Sequence, residues 1–93
     1  MTREILTPDE LTTAVANLYD RTVTDNHLTK RLEFPNFAAS LAFVNKVGDL
    51  AEAADHHPDI TFGWGYAEFQ LITHDRGGIT GVDIALAKKI DNI

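Results

Sequence analysis

Apolar residues recur along this chain with two periods, and each change of period marks a new element. Leu11, Val15 and Leu18 form one helical stripe. They follow Thr7-Pro8-Asp9-Glu10, which reads as an N-cap, a proline at the first helical position and an acid three residues after the cap. The acids also suit the helix dipole. This first helix should fade near Tyr19, and the polar residues from Thr24 to His27 read as a turn. From Leu28 to Phe34 the period falls to two. Leu28, Lys30, Leu32 and Phe34 share a face, which predicts a strand covered on one side. Pro35-Asn36 breaks it, and Asn36 can cap a second helix. Phe37, Leu41, Val44, Gly48, Ala51 and Ala54 fall on one face of that helix, widened by Phe43, Val47 and Leu50. This is the longest helix, and the stripe predicts its core face.

His56-His57-Pro58 ends the helix, because proline pushes His57 into extended geometry. Ile60, Phe62 and Trp64 then alternate, and after Gly65-Tyr66 so do Ala67, Phe69, Leu71 and Thr73. Two alternating runs around a short glycine-containing turn predict a β-hairpin, with Trp64 packed on the sheet. Gly77-Gly78 form a loop. Thr80 can cap a last helix with Asp83 as the reciprocal acid, and Val82, Leu86 and Ile90 form its stripe. The order helix, strand, helix, hairpin, helix predicts an α+β fold with helices layered on an antiparallel sheet.

The hairpin brings candidate chemistry together. With Gly65 and Tyr66 as the turn, His57 lies opposite His74, with Cβ atoms about 4.5–5.5 Å apart. His56 sits beside them at the helix–strand junction. Each imidazole has an unperturbed pKa of about 6.5, so each can exchange a proton near neutral pH. Glu52 lies one helical turn before His56, Asp55 precedes it, and Asp75 follows His74. A carboxylate that holds one ring nitrogen fixes the tautomer. The set suits acid–base rather than nucleophilic catalysis. A zinc site is the alternative, but adjacent histidines on an extended segment point to opposite faces, which makes three-histidine ligation awkward. His27 reads as a surface residue. Helix capping accounts for Asp83, and Glu52 reads equally as a solvated helix acid.

Composition narrows the function. The chain has 93 residues, enough for one domain spanning 1–93. A formal net charge of -6 with scattered basic residues argues against nucleic-acid or anionic-lipid partners. Cysteine is absent, which rules out disulfides and thiolate metal sites and fits a reducing cytoplasm. No segment approaches the roughly 18 apolar residues of a membrane span, and Pro8, Asp9 and Glu10 stand where a signal peptide needs an apolar run. A cytoplasmic protein with no membrane partner is expected.

Glu52, then Ala53-Ala54-Asp55, His56-His57-Pro58, Trp64, His74 and Asp83 resemble the pattern of the pterin-4a-carbinolamine dehydratase family at every spacing. Glu33-Phe34-Pro35-Asn36-Phe37, Thr73-His74-Asp75 and Gly77-Gly78-Ile79-Thr80 also look like that family, and the similarity covers about Leu28 to Ile90. The resemblance implies a four-stranded antiparallel sheet with three helices on one face, assembled as a homodimer or homotetramer. It implies a hydro-lyase that removes water from 4a-hydroxytetrahydropterin to give quinonoid dihydropterin, recycling the pterin with no metal or other cofactor. By position, His56, His57 and His74 become the catalytic candidates, with His56 and His74 as the proton-transfer pair. Tyr19, Glu52, Asp55, Pro58, Thr73, Asp75 and Asp83 become the substrate-binding candidates. Where the family usually carries a Trp at the end of the first helix, this chain has Tyr19, an aromatic face of smaller area without the indole donor. The alternative is a non-enzymatic dimerisation, coactivator or assembly-chaperone module on the same fold. Retention of all three histidines favours the enzyme.

Overall fold

The computed structural model describes residues 4–18 and 21–93. Along them run α1 (Pro8–Ala16), β1 (Thr22–Thr24), β2 (His27–Glu33), α2 (Phe37–Ala54), β3 (Asp59–Gly63), β4 (Tyr66–Leu71) and α3 (Gly81–Asp91). All strand pairs are antiparallel, in the order β1-β2-β4-β3. The expected α+β fold of three helices and a four-stranded sheet is therefore what forms.

Period-two patterning sorts the sheet into two faces. Leu28 lies opposite Leu71, Lys30 and Ile60 flank Phe69, and Leu32 and Phe62 flank Ala67. Leu28, Ala67, Phe69 and Leu71 are fully buried beneath the helices. Thr29, Arg31, Glu33, Thr61, Glu68 and Gln70 occupy the other face, and none is buried. There the Arg31 guanidinium lies 4.4 Å from the centre of the Tyr66 ring. Lys30 belongs to the covered face because Asp91 awaits it, with Nζ 2.7 Å from Asp91 Oδ1. Arg21 Nη2 reaches the same oxygen at 3.2 Å and donates to the Ala87 carbonyl at 3.2 Å, tying the end of α3 to the sheet.

The caps are the ones the residues predict. Thr7 and Glu10 form a capping box on α1, Asn36 accepts from the Ala39 amide, and Thr80 and Asp83 form a second box on α3. Leu11, Val15 and Leu18 pack against the core, as do the buried Leu86 and Ile90 of α3.

Three expectations need correction. First, Trp64-Gly65, not Gly65-Tyr66, make the hairpin turn, so Gly63 pairs with Tyr66 and Asp59 with Gln70. Gly65 takes φ +82, a left-handed value that Tyr66 would adopt only with strain. Its carbonyl accepts from the Phe34 amide at 2.8 Å. The ladder ends at Asp59 and Gln70, so His57 does not oppose His74. Second, Trp64 is 72% exposed at the hairpin tip instead of packing on the sheet. Third, the buried face of α2 is rotated from the expected one. Ser40, Val47 and Ala51 are buried, whereas Phe37 and Leu41 are exposed. Ser40 is drawn inward by the hairpin tip, since its hydroxyl donates to the Gly63 carbonyl at 2.9 Å and accepts from the Gly65 amide at 3.2 Å.

Smaller differences concern strand limits. β1 is three exposed residues with no alternation to announce it. It joins β2 through Asp25 (φ 50) and Asn26 (φ 63), a left-handed pair of the kind tight hairpins use. β4 stops at Leu71, and Thr73 makes an isolated bridge to Gly78.

Candidate active site

The end of α2 aims two adjacent histidines in different directions. Asp55 closes the helix in the left-handed region, with φ 49 and ψ 41. Aspartate tolerates that geometry better than most residues. The His56 amide then donates back to the Ala51 carbonyl at 3.1 Å, and the chain leaves the helix. His56 turns inward and is 7% exposed, whereas the side chain of His57 is 55% exposed. Extended geometry before Pro58 produces this alternation.

His56, His57 and His74 each have their own carboxylate. His56 Nε2 lies 2.5 Å from Asp83 Oδ1, and both groups are buried. His57 Nε2 is hydrogen-bonded to Glu52 Oε2, five residues back on α2, and both are exposed. His74 Nε2 lies 3.7 Å from Asp59 Oδ2 at the start of β3. Hence Glu52 serves His57 rather than His56. His74 is met by Asp59, while Asp75 lies beside Arg76, 3.9 Å from its Nε.

Asp83 carries the densest contacts. Beyond His56, its Oδ2 accepts from the Thr73 hydroxyl at 2.8 Å and from the Thr80 amide at 2.9 Å. Thr73 and Thr80 also touch through their hydroxyls at 2.8 Å, and all three residues are fully buried. Capping therefore accounts for only one of the two Asp83 oxygens. The other holds His56, and the same acid that starts α3 orients an imidazole from the end of α2.

Of the remaining candidates, Asp55 is exposed at the α2 cap and Pro58 is half-buried. Tyr19 lies outside the described residues. Among the described residues, no group of three His, Cys, Asp or Glu side chains is placed to hold a metal ion. Two contributors escaped the sequence reading. Asp59 reaches the open end of the ladder because the turn lies at Trp64-Gly65 and not one residue later. Thr80 was visible only as a cap.

Comparison with known proteins places these residues in a family. The family model described as pterin 4 alpha carbinolamine dehydratase matches residues 4–93. A Nocardia farcinica relative, named among the pterin-4-alpha-carbinolamine dehydratases, is 40% identical over 100% of this chain and 98% of its own length. A Rubrobacter xylanophilus relative of the same name is 48% identical over 76% of this chain and 66% of its own. The crystal structure of a transcriptional coactivator/pterin dehydratase from Brucella melitensis is similar at a TM-score of 0.91, with 27% identity, over 96% of this chain and 97% of that one. A pterin dehydratase-like protein identified as a RuBisCO assembly factor in the alpha-carboxysome is similar at a TM-score of 0.65, with 25% identity, over 82% of this chain and 88% of that one. Matched by that family model over residues 4–93 and 40% identical to a relative over its whole length, the chain belongs to the pterin 4 alpha carbinolamine dehydratase family.

Proposed function

We propose that this protein dehydrates 4a-hydroxytetrahydropterins to quinonoid dihydropterins by histidine acid–base catalysis. The carrying observation is the buried pair His56–Asp83, an imidazole oriented by a carboxylate that water does not reach. In the reaction the bond from C4a to its hydroxyl oxygen breaks, an acid protonates that oxygen, and a base takes the proton from N5. Water leaves as the double bond between C4a and N5 forms. No electron is gained or lost, so that balance requires no redox cofactor and no metal. His56 and His74 form the proton-transfer pair. His57, braced by Glu52, contacts the substrate and tunes the local charge. Tyr19, Asp55, Pro58 and Asp75 complete the pterin surroundings. The physiological setting is the cytoplasm, which the cysteine-free composition suits.

The test is dehydration of a 4a-hydroxytetrahydropterin by the wild type, His56→Ala and His74→Ala. Each substitution should lower kcat by about 10²–10⁴-fold, the usual contribution of a positioned acid or base. Equal rates at the uncatalysed level for all three would remove the enzyme reading.

One observation favours a second reading, in which the fold serves as an assembly module. Phe37 and Leu41 are exposed on α2, in line with the half-buried Val44 and Gly48. A methyl group at Gly48 would meet nothing within 4 Å, so the chain's own packing does not require glycine there. A homodimer or homotetramer that covers this stripe is our reading of it. The likeness to a RuBisCO assembly factor keeps a protein client open as the alternative.

A further inference from the structure

The buried network behind His56 contains enough hydrogen bonds to deduce where every proton lies. As a carboxylate, Asp83 can only accept. The Thr80 amide can only donate, and it points to Asp83 Oδ2 at 2.9 Å. The single hydroxyl proton of Thr73 goes to the same oxygen at 2.8 Å. In the 2.8 Å contact between the two hydroxyls, Thr80 must therefore be the donor and Thr73 the acceptor. The Thr80 oxygen is supplied in turn by the Val82 amide at 3.2 Å. Donors thus run in one direction, from Val82 to Thr80 to Thr73 to Asp83. Two donors occupy Oδ2, and Oδ1 is left to the His56 Nε2 at 2.5 Å. An acceptor at that nitrogen requires the ring to keep its proton there. Nδ1, which then carries no proton, is the ring nitrogen left to accept one.

We propose that Thr73 is a positioning residue of this site. Its hydroxyl, oriented by Thr80, holds Asp83 so that His56 stays protonated on Nε2 and exchanges protons with the pterin through Nδ1. Thr73 is fully buried, and its hydroxyl is committed to Asp83 and Thr80. It therefore acts through His56 rather than by touching the substrate. The catalytic part of this inference rests on the dehydratase reading above, whereas the tautomer does not.

Thr73→Val removes the hydroxyl at nearly constant shape and leaves the Thr80 cap on α3 intact. Thr73→Ser keeps the hydroxyl. The ¹⁵N and ¹H shifts of the neutral His56 ring, measured on the full chain, read its tautomer directly. The wild type and Thr73→Ser should carry the proton on Nε2, and Thr73→Val should populate both tautomers. In the dehydration assay Thr73→Val should lose about tenfold or more in kcat with KM little changed, as expected when an acid–base imidazole is no longer held in one tautomer. Thr73→Ser should recover most of it. A wild-type ring protonated on Nδ1 overturns the proposal without any variant. So does a Thr73→Val protein with wild-type kcat and an unchanged tautomer, or a Thr73→Ser protein as impaired as Thr73→Val. A wild type with the Nε2 proton but no dehydration would instead overturn the dehydratase reading.

Discussion

Asp83 caps α3 with one carboxylate oxygen and grips His56 with the other. Folding of the last helix and orientation of the buried imidazole therefore share one side chain.

Asp83→Asn should weaken both at once. The amide can still accept at one atom, but its NH₂ then faces a nitrogen that also carries a proton. A buried donor left without an acceptor costs about 1–3 kcal/mol. Urea unfolding should report a loss in that range, and kcat should fall at least about tenfold. Full activity in a destabilised protein would show that the cap, and not the dyad, is the reason for this acid.

Asp91 should matter more than its place near the chain end suggests. Among the described residues it meets the cations Arg21 and Lys30, whose side chains are 0% and 8% exposed. Burial pushes the Arg21 guanidinium below its ordinary pKa, and Asp91 partly offsets that. Arginine remains charged at neutral pH even so. Among the described residues, Nε and Nη1 of Arg21 find no hydrogen-bond partner although both are buried. Asp91→Asn leaves uncompensated buried charge and should cost about 3–5 kcal/mol in denaturant unfolding. Lys30→Met, which removes one cation and keeps the stem, should cost far less.

Two glycines should respond in opposite ways to alanine. Gly65 sits at φ +82, and an added methyl carbon would lie 3.1 Å from the Phe34 carbonyl oxygen. Gly65→Ala should destabilise the protein by about 1–2 kcal/mol. Gly48→Ala meets open space inside α2, so it should stabilise the protomer by up to about 1 kcal/mol. If a second copy packs on that stripe, sedimentation should show weaker association for Gly48→Ala. Unchanged association would place any dimer elsewhere.

The start of α1 should be acid-sensitive. Hydrogen bonds from the Thr7 amide and hydroxyl hold the Glu10 carboxyl below its ordinary pKa of 4.5. Because the folded value is depressed, the contribution is fully present above 4.5 and is lost as pH falls through the lowered value. Amide exchange in the first turn of α1 should accelerate across that window. In Glu10→Gln the first turn should exchange without that step.

The sequence by itself determined the elements whose signals are local. Caps at Thr7, Asn36 and Thr80 and the alternation of Leu28, Lys30 and Leu32 depend on neighbours within a few residues, and each appears where expected. Motif spacing likewise singled out His56, His57 and His74. Tertiary structure decided what depends on distant partners. A shift of the turn from Gly65-Tyr66 to Trp64-Gly65 moved the register by two residues, which keeps every side chain on its face but changes every partner. That shift separated His57 from His74 and brought Asp59 into the site. Ser40 replaced Phe37 on the buried side of α2 because a polar group was needed at the hairpin tip, which no helical period records. Asp83 met His56 only because α3 folds back against the end of α2, 27 residues away along the chain. The chain order names the histidines; long-range packing chooses the carboxylates of His56 and His74, while His57 takes Glu52 from the helix just before it.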